Sequence, residues 1–118
     1  TLATAFLSKG EEEDRNAVKV FFNTKTKEAI AFKRNLELIE DDSVNYLRHI
    51  GIYAYKRSSL KLFSNHGQSL DEEKEKLEQL RAYMLGLKII VEESRTPPGP
   101  DVDTQEDLHL VNSIYENK

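Results

Sequence analysis

Charged or polar residues alternate with apolar ones along Leu47-Arg48-His49-Ile50-Gly51-Ile52-Tyr53-Ala54-Tyr55, a period of two that predicts a β-strand over 47–55. Successive side chains of a strand point to opposite faces. Arg48, Ile50, Ile52 and Ala54 therefore share one face, and Leu47, His49, Gly51, Tyr53 and Tyr55 the other. The second face presents an imidazole and two phenols around bare glycine backbone, a floor on which an oxygen-rich small molecule can settle. The plainer alternative is that His49 and Tyr53 are packing residues with satisfied polar tips.

Upstream, 2–6 and 17–22 read as strands, separated by Glu11-Glu12-Glu13-Asp14, which reads as a solvated loop. Asn23 to Lys27 has turn polarity and leads into Glu28-Ala29-Ile30-Ala31-Phe32-Lys33-Arg34, so 17–34 is predicted as a hairpin. A short helix is expected over 57–64. A longer one is expected over 70–85, where Ser69 and Glu72 fit a capping box and Gly86 ends the helix. Leu77, Leu80, Met84 and Leu87 form its core stripe, and Asp71 to Lys76 a solvated first turn. A strand over 88–92 follows, then the irregular Thr96-Pro97-Pro98-Gly99-Pro100. A last helix over 104–116 turns Leu108, Val111 and Ile114 or Tyr115 inward. This order predicts α+β, or the latter half of an α/β fold.

The chain has 118 residues, the size of one domain. Its net charge is −4 with the two signs interspersed, which argues against nucleic acid as a partner. Cysteine is absent, so neither a disulfide framework nor a thiolate site is available. No apolar run approaches membrane-spanning length. A soluble, intracellular domain is expected, with the cytoplasm as its compartment. A strand-like start at residue 1 suggests a fragment of something longer.

Each candidate for chemistry has a structural alternative. Asp103 offers a hard carboxylate oxygen for Mg²⁺, yet Asp103 or Thr104 also fits an N-cap with Glu106 or Asp107 completing the box. Glu78 and Gln79 offer an acceptor and an amide to sugar hydroxyls if their helix crosses the His49–Tyr53 face; otherwise they face solvent, or Glu78 pairs with Arg81. Arg34 suits bidentate recognition of a carboxylate, or simply ends a strand. His66 and His109 receive no role.

Together, Asn16-Ala17-Val18-Lys19-Val20, Phe32-Lys33-Arg34, Leu47-Arg48-His49-Ile50-Gly51-Ile52-Tyr53, Leu77-Glu78-Gln79-Leu80-Arg81 and Val102-Asp103-Thr104-Gln105-Glu106-Asp107-Leu108 resemble the C-terminal half of the 3-deoxy-manno-octulosonate (KDO) cytidylyltransferases. The resemblance covers nearly the whole chain. It implies the second half of a Rossmann-like nucleotidyltransferase fold, a mixed sheet with packed helices. The implied reaction is attack of the sugar acid's anomeric hydroxyl on the α-phosphorus of CTP, giving CMP-sugar and pyrophosphate with Mg²⁺ assistance, for lipopolysaccharide synthesis. By the resemblance, His49, Tyr53, Glu78 and Gln79 hold the sugar acid, Arg34 lies near it, and Asp103 is a metal ligand. None of these residues is a nucleophile; all are positioners, as expected where catalysis is positioning and charge neutralisation. The resemblance also implies a homodimer formed through this half.

The sequence departs from the family pattern at two places. Ala31-Phe32-Lys33-Arg34-Asn35-Leu36 replaces a Tyr-Phe-Ser-Arg run followed by Ile-Pro, which bears on sugar specificity. Asp101 stands where a glycine is usual, adding negative charge beside the candidate metal ligand. The family's nucleotide-binding half has no counterpart in these residues. Residues 1–118 are accordingly expected to be the sugar-acid and dimerisation part, inactive alone. Two other readings are a non-catalytic assembly module on the same scaffold and a cytidylyltransferase for another sugar acid.

Overall fold

The computed structural model describes residues 1–118. Five strands make one mixed sheet: β1 (Leu2–Thr4), β2 (Lys19–Asn23), β3 (Ala29–Lys33), β4 (Val44–Ile50) and β5 (Glu92–Glu93), in the order β3-β2-β4-β1-β5. Only β1 and β5 pair in parallel. The expected hairpin forms between β2 and β3. In its turn the Asn23 side-chain oxygen accepts from the amides of Lys25 and Thr26, and Lys27 adopts a left-handed φ of 63°.

The sheet buries both faces differently. Val20, Phe22, Phe32 and Ala3 look to one side, where they meet Leu77, Ala82, Ile89 and Val91 in the main core, with Leu47 and Leu80 against it. On the other side Phe21 packs on Tyr46 at 5.3 Å between ring centres, and Tyr46 on Phe6 at 6.2 Å. That side is covered by α1 (Lys9–Glu13), capped by Ser8, where a solvated loop was expected. Two of its acidic residues turn onto the sheet: Glu11 pairs with Arg48 at 3.2 Å, and Glu12 accepts a hydrogen bond from the Tyr46 hydroxyl. The acidic run is a helix because the sheet supplies partners for its charges.

The remaining helices are α2 (Arg57–Ser64), α3 (Leu70–Glu75), α4 (Gln79–Met84) and α5 (Gln105–Glu116). The Ser69–Glu72 capping box is present, but the single helix expected over 70–85 is two. Lys76 breaks it in the left-handed region, at φ 55°, ψ 46°. Glu72, expected to be solvated, is 2 % exposed and meets the Arg81 guanidinium through two hydrogen bonds of 2.8 and 2.6 Å. Arg81 thus pairs with Glu72 across the break and not with Glu78. Leu77, Leu80 and Leu87 join the core as expected, whereas Met84 faces solvent.

The strand expected over 88–92 is regular only at its end. Before β5, the Ala29 amide donates to the Ile89 carbonyl (2.7 Å) and the Val91 amide to the Lys27 carbonyl (2.9 Å), which ties the segment to the hairpin turn. Helix α5 begins where expected, with Thr104 and Asp107 forming its capping box. Its apolar face is mostly uncovered within this chain: Leu108, Ile114 and Tyr115 are exposed, and Val111 is half-buried.

Candidate functional site

The strand carrying His49 ends sooner than its alternation suggests. β4 stops at Ile50, and the Ile52 amide turns back to the Ile50 carbonyl at 2.7 Å. Gly51 therefore lies in a turn and not within the sheet, and a Cβ there would meet nothing within 4 Å. The turn folds residues 52–55 back over the sheet face that holds His49. There the Tyr53 hydroxyl lies 3.0 Å from His49 Nε2, and the Thr1 hydroxyl sits at the same distance from that nitrogen.

Aromatic rings extend this contact. Phe32 meets the imidazole edge-on at 5.2 Å; Tyr53 follows at 5.5 Å, Tyr55 at 5.9 Å from Tyr53, and Phe63 at 5.8 Å from Tyr55. The Arg81 guanidinium caps the row, 4.4 Å from the Phe63 ring centre. Burial lowers the His49 pKa to about 4, so the imidazole is neutral near pH 7 and offers one donor and one acceptor. Burial likewise pushes the Tyr53 phenol up, keeping it protonated.

Helix α4 lies over the same face. The Glu78 carboxylate is close enough to raise the Tyr53 and Tyr55 phenols electrostatically. Gln79 is 3 % exposed, and its Nε2 has no hydrogen-bond partner. A buried amide left unpaired costs stability. The neutral imidazole and the protonated phenol are thus in direct contact, whereas Glu78 is exposed and neither it nor Gln79 hydrogen-bonds to them.

Arg34 and Asp103 make no hydrogen bond to His49, Tyr53, Glu78 or Gln79. The Arg34 guanidinium donates to the backbone carbonyls of Glu75 (2.9 Å), Arg15 (3.3 Å) and Lys76 (3.4 Å). Asp103 is exposed just before the α5 cap, its amide donating to Asp107 at 3.2 Å. No cluster of three or more potential metal ligands exists in the chain. Asp103 supplies one carboxylate, and a magnesium site including it must take its other ligands from outside these residues. Magnesium commonly binds in this way, through one or two carboxylates plus substrate phosphates and water.

Beside the aromatic row opens a cleft of about 730 Å³, lined among others by Tyr53, Tyr55, Lys56, Ser59, Lys88 and Glu92. It meets the predicted site only at Tyr53. Beyond Tyr53 and Tyr55, its polar groups Lys56, Ser59, Lys88 and Glu92 were not singled out in the sequence, where they come from two separate segments.

No protein-family model matches the chain. It is 38% identical over 120 residues to 3-deoxy-manno-octulosonate cytidylyltransferase 2 of Paraburkholderia phytofirmans, covering 97% of this chain and 46% of that protein. It is 37% identical over 126 residues to the 3-deoxy-manno-octulosonate cytidylyltransferase of Yersinia enterocolitica, covering all of this chain and 50% of that protein. A solved structure of CMP:2-keto-3-deoxy-manno-octonic acid synthetase complexed with CTP superposes with a TM-score of 0.83 at 35% identity, covering 99% of this chain and 48% of that one. The chain spans about half the length of the curated relatives it matches. By sequence over nearly all its residues and by fold, it is a relative of the 3-deoxy-manno-octulosonate cytidylyltransferases, matching about half of their length.

Proposed function

We propose that this chain is the C-terminal, sugar-acid-binding half of a nucleotidyltransferase that joins CMP from CTP to KDO or a closely related sugar acid, releasing pyrophosphate, as a step toward lipopolysaccharide. The carrying observation is the contact between His49 and Tyr53, accompanied by a Gln79 amide donor buried without a partner in α4, the helix whose Leu80 and Ala82 pack on the core side of the sheet. In this reading Gln79 and Tyr53 donate to sugar oxygens, Glu78 accepts from sugar hydroxyls, and neutral His49 orients both the phenol and the ligand. The names of the relatives and the fold of the CTP-complexed synthetase support the substrate pair.

Asp103 is the residue that would hold Mg²⁺, with nucleotide phosphates completing its coordination. When bound, the ion would neutralise phosphate charge. The catalytic power of this half lies in orientation, since none of its site residues is a nucleophile. A homodimer working in the cytoplasm completes the proposal.

Isothermal titration of KDO into the 118-residue chain tests it. The unsubstituted chain is expected to bind, and His49→Ala to bind at least about fivefold more weakly, since a lost ligand hydrogen bond costs on the order of 1–3 kcal/mol. Equal affinity in the variant, or no binding by the unsubstituted chain, would overturn the assignment.

A further inference from the structure

We infer that Arg34 is a positioning residue: its guanidinium holds the break between α3 and α4, and that break aims Glu78 and Gln79 at the face carrying His49 and Tyr53. The inference rests on the sugar-acid reading above and gives Arg34 a task other than touching the ligand.

The hydrogen bonds carry the argument. In an unbroken helix the carbonyls of Glu75 and Lys76 would accept from the amides of Gln79 and Leu80. Here the Leu80 amide turns to the Leu77 carbonyl at 3.2 Å, and the chain passes through the left-handed region at Lys76. The two carbonyls released by the break accept from Arg34 Nε at 2.9 Å and Nη2 at 3.4 Å. The guanidinium replaces the missing helical amides, and because it is planar it serves both carbonyls from one side. Arg34 is held in turn. Its own carbonyl accepts from the Lys19 ammonium at 2.9 Å, which also reaches the Asp14 carbonyl at 2.5 Å, and Lys19 is completely buried in β2. A rigid connection thus runs from the sheet through Lys19 and Arg34 to the turn that precedes Glu78.

A continuous helix would place residues 78 and 79 differently, because each residue added without a break advances the helix by about 100° in its 3.6-residue turn. The side-chain direction of Gln79 therefore depends on the conformation of Lys76. Lysine pays a steric cost in the left-handed region that glycine does not. The clamp offsets that cost, and a glycine at position 76 would make the clamp dispensable.

The test uses isotope-labelled 118-residue chain carrying Arg34→Ala, Arg34→Lys, or Arg34→Ala together with Lys76→Gly, with two readouts: the Gln79 side-chain amide resonance without ligand, and affinity for KDO. Arg34→Ala is expected to move the Gln79 resonance and weaken KDO binding about tenfold. Adding Lys76→Gly is expected to restore the resonance, and affinity to within about threefold. Arg34→Lys, able to serve one carbonyl, is expected to fall between and stands in if Arg34→Ala does not fold. An unmoved Gln79 resonance in the substituted chain overturns the inference. So does an affinity loss that Lys76→Gly leaves uncorrected, the behaviour of a residue that touches the sugar itself. If the unsubstituted chain binds no KDO, the functional reading fails, while the Gln79 resonance still decides the role of Arg34.

Discussion

His49 Nε2 and the Tyr53 hydroxyl lie 3.0 Å apart, although the two residues are four positions apart in sequence. In a continuous strand they would be separated by about 13 Å, at 3.3 Å per residue, and their side chains could not touch. The contact exists because the chain leaves the sheet after Ile50 and turns back at Gly51. Period-two patterning assigned both side chains to one face, and the turn joined them.

The buried imidazole makes stability depend on pH. Its pKa is lowered from 6.5 to about 4 in the folded chain. Between those values the unfolded chain takes up a proton that the folded chain refuses, so stability falls as pH drops through that window and is insensitive to this group above it. The loss is at most about 3 kcal/mol. Urea unfolding at pH 7 and pH 5 is expected to show a clear drop for the unsubstituted chain and a smaller one for His49→Gln. Identical drops would contradict the burial of a neutral imidazole.

Glu72 governs a lower range. Hydrogen bonds from Arg81 hold its carboxyl below the ordinary 4.5, so its contribution is present above that value and is lost as pH falls through the folded value. Glu72→Gln keeps the shape but gives up the charge, and also weakens the Ser69 capping box. Thermal unfolding at pH 7 is expected to shift down by several degrees, and the difference from the unsubstituted chain to shrink near pH 3. A constant difference across that range would show that the ion pair is not the cause.

Gln79 is expected to separate stability from binding. Its Nε2 is buried without a partner, so Gln79→Met removes an unsatisfied group while keeping the volume. The melting temperature should hold or rise while KDO affinity falls, as calorimetry and titration together would measure. A marked loss of stability would mean that the amide already has a structural partner.

Lys76 offers a gain. At φ 55° and ψ 46° it bears the left-handed cost of an L-residue, and it is exposed. Lys76→Gly is expected to stabilise the chain by about 0.5–1 kcal/mol, read as a higher urea midpoint at unchanged slope. A lower midpoint would mean that the lysine side chain contributes more than its backbone costs.

Local signals were read well. The hairpin over 17–34, the Ser69–Glu72 and Thr104–Asp107 boxes and the helix over 57–64 each depend on neighbours within a few residues, and each is present. Misreadings arose where distant groups intervene. Glu11 to Asp14 reads as a solvated run until Arg48 and Tyr46 are brought opposite it. The pattern over 70–85 reads as one helix because nothing near Lys76 in sequence announces Arg34, which lies forty-one positions before Glu75. The apolar positions of α5 have the correct period, but periodicity does not say which surface receives them, and in this chain most stay exposed.

The sequence by itself determined most of the element types, the kinship with sugar-acid cytidylyltransferases, and the chemical kinds gathered around His49, because periodicity, capping and motif spacing are written in residues close along the chain. Tertiary structure alone decided that Tyr53 touches His49, that Glu72 and not Glu78 takes Arg81, and that Arg34 faces carbonyls instead of open solvent. Those outcomes depend on partners from remote segments meeting where water is excluded, and there a hydrogen bond or a charge selects one geometry that no local pattern encodes.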